Sequence, residues 1–266
     1  MAAEHTPASA GPATRARPRV WFFDLDNTLH DATFASYAGI NEGMTSYIVQ
    51  NLGVSLEDAG TLRQRYWLRY GATLLGLVRH HGVRPGHFLH HAHQLPGLEQ
   101  RVYGHAHDLH ALRRLARAPG RRCILTNAPA AYTARVLEVL GIAPLFDAVL
   151  SIEDMRMFGH WRPKPDGRML AAMAVRMRAH PRHCVLVEDT LEHQKSARAI
   201  GMRTVWMQRW LGPARPGRDP GGAARPAGHR QPAQSAPRGR LSAPRCAGRP
   251  AYVDRRIRRL GQLLRG

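Results

Sequence analysis

Residues 20–29 read Val20-Trp21-Phe22-Phe23-Asp24-Leu25-Asp26-Asn27-Thr28-Leu29, an apolar run that ends in two carboxylates one residue apart. Four more short, β-prone runs follow at Arg122–Thr126, Phe146–Ser151, Cys184–Glu188 and Thr204–Met207. Helix-period stretches separate the later ones. Pro129 to Leu140 opens with a proline near the first turn and stops at Gly141, the usual asymmetry of helix ends. Asp166 to Arg178 and Glu192 to Ile200 behave alike, the second again closed by a glycine, Gly201. Strands alternating with helices at this spacing predict a parallel, doubly wound α/β sheet. In such sheets the site lies beyond the carboxyl ends of the strands.

The first crossover breaks the pattern. More than ninety residues separate Leu29 from Cys123, where one helix would suffice. Tyr37–Leu52, Leu56–Tyr70 and Ala72–His80 are helix-prone, and Leu109, Leu112 and Leu115 mark the crossover helix itself. The expected organisation is an α/β core at 20–30 and 105–210 with an α-helical cap at 31–104, inserted over the sheet's active edge where a lid belongs.

The chain has 266 residues, 44% of them hydrophobic, enough for a proper core without disulfide stapling. Its formal charge of +20 points to a nucleic-acid binder only until it is located. Residues 211–266 carry thirteen Arg, no Lys and two acids, a net +11, against +7 for 20–210. In 211–250, 15 of 40 residues are Pro or Gly, so this segment is expected to be disordered, as is 1–19. Val253, Ile257, Leu260 and Leu264, interleaved with arginines, predict a short amphipathic helix at 251–266. Of 39 basic residues only Lys164 and Lys195 are lysines. A lysine kept amid such a bias hints at a need for a compact ammonium. Cys123, Cys184 and Cys246 lack metal or redox spacing and read as thiols in a reducing compartment. No run is long and apolar enough for a secretory h-region or a membrane span, so a cytoplasmic, soluble protein without a membrane partner is expected.

The strand ends carry the chemistry: Asp24 and Asp26 after the first, Thr126-Asn127 after the second, Lys164 in Arg162-Pro163-Lys164-Pro165-Asp166 after the third, and Glu188-Asp189 closing the fourth. Each has an ordinary reading alone. A strand-end Asp caps turns, Thr-Asn before proline caps a helix, a lysine between prolines is solvated, and Glu-Asp pairs with surface Arg. Their joint occurrence is what those readings do not predict. Clustered carboxylates such as Asp24 and Asp189 recruit a hard cation such as Mg²⁺. The cation and Lys164 would offset charge between a phosphoryl group and an attacking carboxylate. The Thr126 hydroxyl and the following helix N-terminus add anion donors.

On these residues the chain resembles the haloacid dehalogenase (HAD) superfamily of phosphatases through all four motifs: DLDNTL at 24–29, Thr126-Asn127, Lys164 in RPKPD, and Glu188-Asp189. Tyr70-Gly71-Ala72-Thr73-Leu74, Asp154-Met155-Arg156, RPKPDGRML, VEDTLEHQKSARAIGMRTVWM and Tyr252-Val253-Asp254 further resemble its pyrimidine 5′-nucleotidase branch. The resemblance implies a Rossmann-like sheet, a helical cap, and hydrolysis of UMP or CMP through an aspartyl-phosphate. It implies Asp24 as nucleophile and Asp26 as acid, then base. Thr126, Asn127 and Lys164 would bind phosphate. Asp24, the Asp26 carbonyl and Asp189 would ligate Mg²⁺, with Glu188 joining directly or through water. His193 departs from the pattern, where Asn is commoner.

Other signals carry less. Nine of sixteen histidines lie in 80–110, and His87 with His90, or His107 with His110, share a helix face. Without further ligands they read as cap and surface residues. Tyr66, Trp67 and Tyr70 fit a cap core, and Tyr70 alone is carried forward as a substrate contact. Two alternatives stay open: a HAD phosphatase for a sugar phosphate or phosphoglycolate, and a nucleic-acid binder acting through the Arg-rich tail. For an enzyme, polyanion binding by that tail would be incidental. The expected partner is a small phosphate ester.

Overall fold

The computed structural model describes residues 19–210 and 249–264. The chain enters at β1 (Val20–Phe23) and then runs through α1 (Ala32–Ala35), α2 (Tyr37–Leu52), α3 (Leu56–Tyr70), α4 (Thr73–His81), α5 (Pro85–Ala92) and α6 (Leu98–Arg101). The helix α7 (Ala106–Ala116) leads into β2 (Arg121–Leu125), α8 (Ala130–Leu140) and β3 (Ala148–Leu150). A hairpin of β4 (Arg156–Met157) and β5 (His160–Trp161) precedes α9 (Gly167–Arg176), β6 (Cys184–Glu188), α10 (Leu191–Ala199) and β7 (Arg203–Met207). The last strand is β8 (Arg255–Ile257).

Six strands form one parallel sheet in the order β3-β2-β1-β6-β7-β8. The chain steps outward from β1 through β2 to β3, then crosses back to β6 on the other side of β1. The topological switch point therefore lies between β1 and β6, the place where open α/β sheets hold ligands. Register sharpens this: Phe23 pairs with both Ile124 and Val187, so Asp24, Thr126 and Glu188-Asp189 leave neighbouring strands at one edge.

Side chains alternate across the sheet as strand geometry requires. Phe23, Ile124, Val185 and Val187 pack on one face with α7 and α8, through Leu112, Leu115, Val136 and Leu140. Val20, Phe22, Cys123, Leu125, Cys184 and Leu186 pack on the other, against Met169, Met173 and Ala197 of α9 and α10. Burial on both faces explains why these strands read as unbroken apolar runs. Helices α2 to α5 share a separate core built on Tyr47, Ile48, Tyr66, Leu77 and Phe88. Local signals set their ends: Ser55 accepts from the Asp58 N–H to start α3, and Gly71, at φ 78°, stops it. Only a glycine at 76 lets α4 lie against Tyr66, since a Cβ there would strike the ring.

The C-terminal helix expected at 251–266 is corrected. Arg255–Ile257 is instead the sixth strand, followed by a 3-10 turn at Leu260–Leu264, with residues 265–266 outside the described range. A four-residue spacing such as Val253 to Ile257 fits a strand face as well as a helix face, and the open edge of β7 supplies the ladder. Asp254 clamps the junction, accepting from the Thr204 N–H at 2.8 Å and pairing with Arg198 at 2.9 Å. Apart from Arg19, Arg249 and Pro250, the segments 1–19 and 211–250 lie outside the described residues.

Among the described residues, no helix is long and apolar enough to cross a membrane. Cys123 and Cys184 are buried free thiols, and burial pushes their pKa up to about 12 and about 11. A Cys246→Ser protein should therefore show no native reaction with a thiol-disulfide reagent at pH 8 and two thiols after unfolding. Fast native labelling would contradict this packing.

Candidate active site

Lys164 is the centre of the strand-end cluster. It is only 1% exposed, and its ammonium lies 2.6 Å from Asp24 Oδ1 and 2.7 Å from Glu188 Oε2. Asp24, Glu188 and Asp189 bring carboxylate oxygens within 4.8 Å of one another. One ammonium thus faces three carboxylates, and their protonation preferences record the excess. Burial, with Glu188 adding to it, pushes Asp24 up to about 8 against the pull of Lys164. Burial and the neighbouring Glu188 and Asp24 likewise raise Asp189 well above the carboxylate range. Glu188 goes the other way, because Lys164 and His193 overcome its burial. His193 Nδ1 sits 3.0 Å from Glu188 Oε2, so the departure noted in the sequence places a second basic group on that carboxylate. A buried, all-oxygen donor set with surplus negative charge fits a hard divalent cation.

Each group is held from behind. Asp24 N–H donates to Val187 O at 3.0 Å, continuing the sheet beyond β1, and Thr28 donates to Asp24 Oδ2 at 3.2 Å. Gln194 on α10 donates to both Glu188 O and Val205 O at 2.8 Å, and Trp206 donates to Asp189 O at 2.9 Å. Asp166 caps α9 and accepts from Arg162, fixing the far side of the Lys164 loop.

Asn127, expected to hold phosphate, is joined to the lysine loop: its Nδ2 donates to Lys164 O at 3.0 Å, and its Oδ1 accepts from Lys164 N at 2.9 Å. The side chain thereby aims the lysine loop. Thr126 stands buried at the same sheet edge, its hydroxyl accepting from the Ala128 N–H at 3.0 Å.

Asp26 is half-buried, and one of its oxygens, Oδ1, is gripped twice. Tyr132 OH donates to it at 2.8 Å, and His30 Nε2 lies 2.9 Å away. Neither residue was legible as functional: Tyr132 lies 106 positions away on α8. His30, four residues past Asp26, carried only its spacing as a signal. Tyr37 lies at the start of α2. It is 37% exposed by area, yet burial at its phenol, then Asp26, Asp189 and Asp24, drive its pKa well up.

Tyr70 is not joined to this cluster. Its hydroxyl meets His80 Nε2 at 2.6 Å, and its ring lies beside Arg69 and Arg79. The following Gly71 does come up to Pro165, so the α3–α4 turn reaches the Lys164 loop. The histidines at 87, 90, 107 and 110 form no metal-ligand group among the described residues.

Solved structures share this architecture. A HAD phosphatase from Thermococcus onnurineus is 16% identical, covering 93% of this chain and 96% of that one at a TM-score of 0.56. HAD-hydrolase YfnB from Bacillus subtilis, bound to magnesium, is 15% identical, with coverages of 94% and 98% and a TM-score of 0.51. A 2-haloacid dehalogenase from Pseudomonas syringae pv. Tomato DC3000 is 20% identical, covering 93% and 97% at 0.50. At such identities these are likenesses of fold. Residues 18–201, from just before β1 to just after α10, match the haloacid dehalogenase-like hydrolase family. That span takes in every strand end described above, and the chain belongs to the haloacid dehalogenase-like hydrolases.

Proposed function

We propose that the chain is a Mg²⁺-dependent phosphomonoester hydrolase acting on pyrimidine nucleoside 5′-monophosphates through an aspartyl-phosphate. The observation that carries the phosphatase reading is Asp26, held beside the nucleophile by Tyr132 and His30 with its second oxygen left for proton work. A leaving alkoxide needs a proton, whereas a leaving halide does not.

In this reading a carboxylate oxygen of Asp24 bonds to phosphorus as the ester P–O bond breaks. Asp26 gives its proton to the departing ribose oxygen. Asp26 then takes a proton from water as the hydroxide attacks phosphorus, releasing orthophosphate and restoring Asp24. Lys164, Thr126 and Asn127 hold the phosphoryl oxygens, and the Asn127 amide also keeps the Lys164 loop in place. A divalent cation held by Asp24, the Asp26 carbonyl and Asp189, with Glu188 direct or through water, would supply electrostatic relief for the converging negative charges. Residues 31–104 act as the cap, and Tyr70 is the proposed contact to the base.

The pyrimidine preference rests on the branch-like stretches at 70–74, 154–156, 162–170, 187–207 and 252–254. It is tested by orthophosphate release with Mg²⁺ over UMP, CMP, purine monophosphates, glucose 6-phosphate and phosphoglycolate. The expected kcat/KM for UMP and CMP exceeds the others by about tenfold or more, equivalent to about 1.4 kcal/mol. A preference for a sugar phosphate would reassign the substrate. Release from none would remove the phosphatase reading.

A further inference from the structure

We infer that Tyr132 and His30 are positioning residues that fix which oxygen of Asp26 delivers the proton, and that Ser36 links this setting to the cap. The inference rests on the acid role given to Asp26 above.

When Asp26 is ionised it can only accept, so the Tyr132 proton and the His30 Nε2 proton then both point at Oδ1, at 2.8 and 2.9 Å, the two donors themselves lying 3.5 Å apart. Among the described residues no hydrogen bond engages Oδ2, which is left to carry the transferable proton. Neither donor has another evident purpose. His30 is wholly buried with Nδ1 unpartnered, and a buried histidine half-satisfied in this way is costly unless its other nitrogen is needed. Tyr132 is equally buried, and a phenylalanine would fill the same volume.

The network also leaves the core. Ser36 Oγ is 2.9 Å from Tyr132 OH and has a second acceptor, Ala32 O, at 3.2 Å. With the Tyr132 proton directed to Asp26, the single Ser36 proton has two acceptors, Tyr132 Oη at 2.9 Å and Ala32 O at 3.2 Å, and the shorter contact is the one that links it to Tyr132. Ser36 is the junction between α1 and α2, where the chain enters the helical segment. From further along that segment, the ring of His93, at the close of α5, meets the Tyr132 ring edge-to-face at 5.5 Å. Two points of the cap therefore converge on the residue that orients Asp26.

The test compares leaving groups in the full chain. Steps up to the first phosphoryl transfer set kcat/KM, and p-nitrophenolate leaves with little need of an acid, whereas the UMP ribose alkoxide depends on one. Tyr132→Phe should lower kcat/KM for UMP about 30-fold and for p-nitrophenyl phosphate by no more than about threefold. His30→Gln, which keeps an N–H donor, should hold the ratio between the two esters near wild type, and His30→Leu should shift it as Tyr132→Phe does. Equal losses on both esters would overturn the inference in favour of a packing role, and an undiminished rate on UMP would overturn it outright. Wild-type protein inactive on both esters would instead sink the phosphatase reading, and the inference with it.

Discussion

Asp24→Asn is expected to lower phosphate release by about 10⁴-fold or more, because an amide cannot form the phosphorylated intermediate. The fold should not suffer. Asp24 sits at the end of a buried strand with its backbone bonded to Val187, and asparagine preserves that shape. The metal-free protein offers a second readout. Burial and Glu188 hold Asp24 up to about 8, above its ordinary 3.8. A carboxyl raised on folding contributes stability fully below the ordinary value, and that contribution is lost as pH climbs through the folded value. Metal-free wild type should therefore lose melting temperature as pH rises from the ordinary carboxylate range to about 8, and Asp24→Asn should lose less. Parallel melting curves across that window would contradict the crowded-carboxylate picture.

Lys164→Met is expected to reduce both activity and stability. The ammonium is buried between two carboxylates, and burial, which opposes its charge, is outweighed by Asp24 and Glu188. Removing one partner of such a pair typically costs about 3–5 kcal/mol, because the remaining charges are left buried and uncompensated. Loss of a charge-stabilising contact to the phosphoryl group should lower kcat about 10²- to 10³-fold. Added Mg²⁺ should recover part of the variant's melting temperature, more than it raises that of wild type, since cation binding to the folded state stabilises it. A variant as stable as wild type in EDTA would show that Lys164 is not what balances the cluster.

The same lysine shows what a sequence can and cannot disclose. Its retention in an arginine-biased chain pointed to a special site, and Lys164 occupies one. Lys195 was retained too, yet stands exposed on α10, so rarity alone was no criterion. The strand ends were legible because both-face burial writes itself as apolar runs broken by carboxylates. The helices at 37–52 and 56–70 were legible as helix-prone stretches. The sixth strand was not, since Val253 and Ile257 satisfy two periods and only the waiting edge of β7 decides between them. Nor was the grip on Asp26 legible, because Tyr132 is brought there by the packing of α8 and reads in sequence as an ordinary apolar helix position. Motif position located Asn127, and only geometry showed that its amide bonds the Lys164 backbone.

The central claim is that phosphate passes through Asp24. The most direct measurement is rapid acid quenching of the enzyme during turnover of a ³²P-labelled monoester with Mg²⁺, followed by mapping of protein-bound label. The expected result is a hydroxylamine-labile phosphoryl group on the peptide containing Asp24, absent from Asp24→Asn. Wild-type turnover with no label on that peptide, or Asp24→Asn releasing phosphate at the wild-type rate, would contradict it.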